Sequence, residues 1–232
     1  MKTKFLRSLL CVVLAMGMIF SIGCGGKEED GKQSQNEIQL AKELESAKSA
    51  YDELSLAFTY SKDMASAVHS IWNYSIYYAS DDKSDMVASG SRVGWGDFLV
   101  KRVILRTSGM PSESILKEAL KNVTGQTDGA FWANALENIS YAVAVAKEYN
   151  RLSDGLRLTT ACIEKSKTFI GDLTDANKEA THRDDLASLY SSINSFYQLI
   201  ENPSGNFSSY GASITNCKNN INNLINTLDL YF

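Results

Sequence analysis

Proline is scarce, with two in 232 residues, and histidine equally so, with His69 and His182 alone. A chain so poor in proline suits long helices, because proline interrupts helix interiors. Neither histidine has a cysteine or carboxylate at the spacings of H-E-x-x-H or C-x-x-C, so no metal is expected. There is no G-x-S-x-G elbow and no glycine loop ahead of a helix to cradle a phosphate. The acidic run Asp81-Asp82-Lys83-Ser84-Asp85 lacks the spacing of a calcium-binding EF-hand loop and its closing glutamate. These absences remove the usual signatures of hydrolases, metalloenzymes and nucleotide-using enzymes. No cofactor is expected, and the reading is not an enzyme.

What is present begins with a processed N-terminus. Lys2, Lys4 and Arg7 form a basic start, and Leu9 to Phe20 is an apolar run without charge. That run is shorter than the roughly 20 residues of a membrane-spanning helix, and it reads as a secretory signal over residues 1–23. Losing it leaves 20 basic against 27 acidic residues, a net charge of −7. An acidic exported surface argues against nucleic acid as a partner.

Ile22-Gly23-Cys24 resembles the lipobox of bacterial lipoproteins, with serine at position 21 where that class usually has leucine. The resemblance implies cleavage before Cys24 and a diacylglyceryl group on its sulfur. It implies a membrane partner through that lipid, at the extracytoplasmic face of the cell membrane. Ser21 and Gly23 also suit ordinary signal peptidase, which would release a soluble protein. Residues 24–33 are charged and contain glycine, and they read as a flexible tether.

Residues 34–232 read as a single helical domain. From Ser34 to Ala79 one face returns at alternating steps of four and three. It carries Leu40, Leu44, Ala47, Tyr51, Leu54, Phe58, Ser61, Ala65, Val68, Trp72, Ser75 and Ala79, ten of them apolar. A sustained 3.5-residue repeat marks a helix packed lengthwise on others. Ser34 with Glu37 makes a capping box at its start. About 46 residues at 1.5 Å each give a rod of roughly 70 Å.

Residues 80–94 read as a loop. Asp97 is a cap for a short helix, Phe98 to Arg106, and Pro111 opens another to Val123. A second long helix is predicted from Ala130 to Gly171, bent near Gly155, with a break there as the alternative. Thr174 or Thr181 is the expected cap of the next helix, whose stripe runs Leu186, Leu189, Tyr190, Ile193, Phe196, Tyr197, Ile200. After the Asn202-Pro203-Ser204-Gly205 turn, the last helix has a stripe of Ile214, Cys217, Ile221, Leu224, Ile225 and Leu228. Its other face is asparagine: 216, 219, 220, 222, 223 and 226.

The fold class is therefore all-α. Short connections predict an elongated up-down bundle of two long and two shorter helices, with residues 80–129 as a small helical subdomain at the distal end. Cys162 and Cys217 fall at similar heights, about 14 and 21 Å from a common base, which makes them a disulfide candidate; two free thiols are the alternative. Trp72, Trp95 and Trp132 gather at the distal end with Tyr77 and Tyr78. They are either core or a partner-binding surface.

The functional expectation is a membrane-anchored envelope lipoprotein that binds another protein or envelope component through its distal end. The alternative is a spacer or assembly subunit pairing through the seam. The first helix and the Asn202-to-Tyr210 turn also resemble small prophage-encoded lipoproteins that exclude related phages, a further instance of the binding class.

Overall fold

The computed structural model describes residues 29–89, 94–107 and 112–232. The signal segment, Cys24 and the first part of the tether lie outside them. The described residues are all helical, with ten α-helices packed together and no strand.

Helix α1, Glu29–Tyr77, is the spine. It begins ahead of Ser34, which lies inside the helix and is not its cap, and it takes in the end of the expected tether. Of the twelve seam residues, ten are buried; Leu40 is half-buried and Leu44 exposed. Periodicity located this face because every 3.5 residues the helix returns the same side to its partners.

The seam is covered by α6 (Ile139–Leu152), α7 (Gly155–Gly171), α9 (Arg183–Glu201) and α10 (Phe207–Leu228), all of which pack on α1. Contacts along α1 are met in reverse order along α6 and α7. Thr174, just past α7, donates from its backbone N and hydroxyl to Glu43, at 3.0–3.1 Å. Lys165 reaches Glu53 at 2.9 Å, and the Asn150 amide donates to the Met64 carbonyl at 3.2 Å. Helix α10 also runs against α1: Phe207 and Tyr210 sit at Trp72, while Asp229 and Phe232 sit at Tyr51.

The expected second long helix is three. Asn138 accepts from the Ser140 N–H and starts α6 afresh after α5 (Gly129–Leu136). Ser153 ends α6, Asp154 takes a left-handed φ of 63°, and Gly155 starts α7. Gly155 is also a packing necessity. A Cβ there would sit 2.7 Å from Met64 Cγ, so only glycine lets α7 approach α1 at that level.

Three smaller departures follow from local chemistry. The polar run after Tyr77 forms a helix, α2 (Ala79–Ala88), where a loop is expected. Helix α3, Trp95–Arg106, starts after Gly94 (φ 81°), so Asp97 lies within its first turn and is not its cap. Neither Thr174 nor Thr181 caps α9; a 3₁₀ turn at Asp175–Asn177 and the four-residue α8, Lys178–Thr181, intervene, and His182 enters α9 from a left-handed φ of 51°. Helix α4, Glu113–Thr124, is capped by Ser112, and α10 by Asn206 in a capping box with Ser209.

Candidate functional site

The upper end is built where α2 and α3 meet the last turns of α1. Asp82 on α2 is fully buried. A buried carboxylate is costly unless its lone pairs are matched. Tyr74 Oη donates to Oδ2 at 3.0 Å, and Arg106 Nη2 donates to Oδ1 at 3.3 Å. Arg102, one turn earlier on α3, lies 4.0 Å from Asp82 and 3.8 Å from Asp85. The two guanidiniums rest on rings, Arg102 over Phe98 at 5.0 Å and Arg106 over Tyr78 at 4.6 Å. Burial, then the charge and hydrogen bond of Asp82, push the Tyr74 phenol far above its usual range. Tyr74 therefore stays protonated and serves as a donor. Both arginines face carboxylates, so this cluster clamps α1, α2 and α3 together and leaves no free anion seat.

Beside the clamp, α2 and α3 diverge around a cleft of about 410 Å³ whose apolar lining includes Met86, Trp95 and Phe98. Behind it α3 and α5 cross with their backbones nearly touching. A Cβ on Gly129 would lie 2.3 Å from the Gly96 nitrogen and 2.8 Å from Trp95 Cβ. Trp132, one turn along α5, lies over Gly96 and donates from Nε1 to the Gln126 carbonyl at 2.8 Å.

The structure thus brings Trp95 and Trp132 together and puts Trp72 elsewhere. Trp72 is 4% exposed and packs on Phe207 and Tyr210 at the head of α10. Trp132 is 6% exposed, while Trp95 and Tyr78 are half-buried. Trp72 and Trp132 are buried in the core. Tyr77 is the exposed member of the expected set, at 59%.

The exposed apolar surface of this end comes from other residues. Among the described residues, eight of thirteen exposed large hydrophobics fall between Ile76 and Tyr141, and of these eight Leu105, Val87, Tyr77 and Phe131 are the most open. Periodicity finds buried faces, and an exposed leucine on a short helix such as α3 gives it nothing to register.

A second concavity, about 280 Å³, lies between α1 and α10. Ser66, His69 and Ser70 face Gly211, Thr215 and Lys218 across it. His69 leans on Phe207, ring centroids 4.7 Å apart. Partial burial and the Lys218 charge hold its imidazole below the usual range, so it is neutral at pH 7.

The expected Cys162–Cys217 disulfide is not formed; both are free thiols. Equal height along a bundle is not adjacency. Helix α7 carries Cys162 and α10 carries Cys217, and each packs on α1 and α9 instead of the other. Burial and the neighbouring Glu53 carboxylate push the Cys162 thiol up to about 11, so it is a poor nucleophile. Cys24 lies outside the described residues.

Among the described residues no group of three or more His, Cys, Asp or Glu side chains is placed to hold a metal, and no helix is long and apolar enough to cross a membrane. Compared with known proteins, the chain matches no family model, no curated protein and no solved structure.

Proposed function

We propose that this protein is a lipid-anchored envelope protein with a non-catalytic binding role, which meets its partner through the α2–α5 end. In this reading Cys24 carries the lipid, α1 rises from the membrane, and α1, α6–α7, α9 and α10 form an elongated up-down bundle. Residues 80–129 make the small subdomain at its far end. The observation that carries the reading is the concentration of exposed large hydrophobics at the end remote from Glu29. Isolated exposed apolar residues are ordinary, but a clustering of them marks interaction sites.

The charges of that end add to it. Lys83 pairs with Glu137, Lys117 with Asp97 and Glu113, Lys121 with Glu118, and Arg102 and Arg106 with Asp82. Pairing leaves little net field there, which suits apolar contact with a protein or envelope component more than electrostatic capture. The spacer alternative has less support. It needs the α1 seam for a second chain, and Ala47, Leu54, Phe58, Ala65, Val68 and Trp72 are already spent inside this one.

The anchor is tested by metabolic labelling with radioactive palmitate. Wild type takes up label and fractionates with membranes, and Cys24→Ala does neither. An unlabelled wild type released into the medium contradicts the anchor.

A further inference from the structure

The geometry points to a second binding surface: the α1–α10 groove and the asparagine track that leaves it bind a neutral glycan strand. This proposal goes beyond the anchored binding role above and does not depend on it.

Helix α10 is unusual in what its outer face lacks. From Phe207 to Leu228 it holds no acidic residue and one base, Lys218. The other long helices carry charges of both signs toward solvent, as α1 does with Lys42, Glu45, Lys48 and Asp52. On α10 the six asparagines at 216, 219, 220, 222, 223 and 226 are all exposed, and none makes a side-chain hydrogen bond to a described residue. Asparagine is a poor helix former compared with lysine or glutamate, so a merely solvated face has no physical need of it. Each exposed amide offers two donors and an acceptor without charge.

The spacing makes a track. Thr215, Asn219, Asn222 and Asn226 recur at steps of four, three and four, which keeps them on one side of the helix. The track begins inside the groove, since Thr215 and Lys218 line it with Ser66, His69 and Ser70 of α1. From Gly211 to Asn226 it extends about 22 Å at 1.5 Å per residue. That length fits an oligosaccharide better than a single sugar.

The groove end supplies the rest of what a sugar needs. His69, neutral, has one N–H and one lone pair, and Ser70 has a free hydroxyl. His69, in the groove, packs on Phe207, and Phe207 packs in turn on the exposed Tyr77. Such rings give an apolar face against which the C–H face of a pyranose rests. No carboxylate lines the groove, and Lys218 is its sole fixed charge. A polyanion would find one cation along the whole face, whereas a neutral chain of hydroxyl and acetamido groups finds a donor or acceptor at each turn.

The test uses the full-length protein in detergent, titrated calorimetrically with chitotetraose and with maltotetraose. Saturable binding of at least one is expected; comparing the two shows whether the acetamido group is required. The triple variant Asn219→Ala, Asn222→Ala, Asn226→Ala is expected to bind about tenfold more weakly or worse, the loss of roughly one good hydrogen-bonded contact. Alanine favours helix, so its melting temperature is expected to stay level or rise. His69→Ala weakens binding separately, at the groove end. No binding of either tetrasaccharide, equal binding by the triple variant, or stronger binding of an anionic heparin tetrasaccharide overturns the proposal.

Discussion

The spine of the protein and its upper end solve the same packing problem with different means. Along α1, α7, α9 and α10, long regular stripes bury Leu54, Phe58, Ile193 and Phe196, and dispersion and hydrophobic burial carry the stability. At the upper end the helices α2 to α5 are 8–12 residues long. Helices so short are marginal by themselves and depend on tertiary locks. Two locks are visible, the buried Asp82 clamp and the Gly96–Gly129 crossing. Length gives cohesion through repetition, and shortness requires individual residues that cannot be exchanged. The same contrast explains where apolar surface remains open. A long stripe finds a long partner, whereas short helices at changing angles leave Val87, Leu105 and Phe131 outside.

If the spine is held by bulk burial, the largest loss comes from emptying it. Phe196→Ala, at a fully buried site beside Phe58, is expected to cost about 3–5 kcal/mol, read as a lower urea midpoint for the whole chain. A change confined to α9 protection would show that the spine is not one cooperative unit.

A break at the clamp should instead be local. Asp82→Ala strands the Tyr74 hydroxyl and two guanidiniums that are each about a third exposed, so roughly 2–3 kcal/mol is expected, less than for fully buried pairs. Amide hydrogen exchange should speed up in α2 and α3 and stay unchanged in α7 and α9. Asp82→Asn, which keeps an acceptor for Tyr74, should recover part of the loss. Uniform acceleration through the molecule would remove the distinction between the two regions.

The crossing gives a smaller and sharper effect. Gly129→Ala must move α5 away from α3, because no side chain can yield where the neighbour is the Gly96 backbone; about 1–3 kcal/mol follows. Trp95 and Trp132 flank the site, so a red-shifted tryptophan emission reports it. An unaltered spectrum and stability would mean that the helices do not approach so closely.

At the opposite end a charge does the locking, and acid releases it. Glu43 is 2% exposed; burial raises its pKa, but hydrogen bonds from Gln39 and Thr174 outweigh this and leave the carboxyl below its ordinary value. A folded pKa below the unfolded one gives stability that is present above the unfolded pKa and lost as pH falls through the folded one. Glu43→Gln should therefore cost about 1 kcal/mol at pH 7 and almost nothing near pH 3, measured by urea unfolding at both. A difference independent of pH would mean that the carboxylate charge is not what holds Thr174.

How legible each region is in the sequence follows the same division. The α1 seam, the α9 stripe and the asparagine face of α10 are readable because a repeat of 3.5 or 3.6 survives over many turns and each error averages out. Helix α2 is not readable: its aspartates imitate a loop, and only the placement of Arg102 and Arg106 on another helix turns Asp82 inward. The break after α5 is hidden because Asn138 looks like any polar residue on a helix exterior until its backbone shows the cap, whereas the break after α6 is the alternative that Gly155 leaves open, decided by the left-handed turn at Asp154. Gly129 and Gly155 look like helix weaknesses and are contact points. The thiols mislead for a different reason, since height along a bundle can be counted from sequence and neighbourhood around it cannot. Trp72 and Trp132 share a chemistry with binding surfaces, and burial, which decides between the two roles, has no local signature.

The proposal that the α2–α5 end, and not the spine, meets a protein partner is tested most directly by photo-cross-linking in intact cells. A photoreactive residue replaces Leu105 or Phe131 at the upper end, or Leu56, 46% exposed on the spine, as the control. A discrete adduct is expected from positions 105 and 131 and none from 56. An adduct from 56 with none from the other two would contradict the proposal.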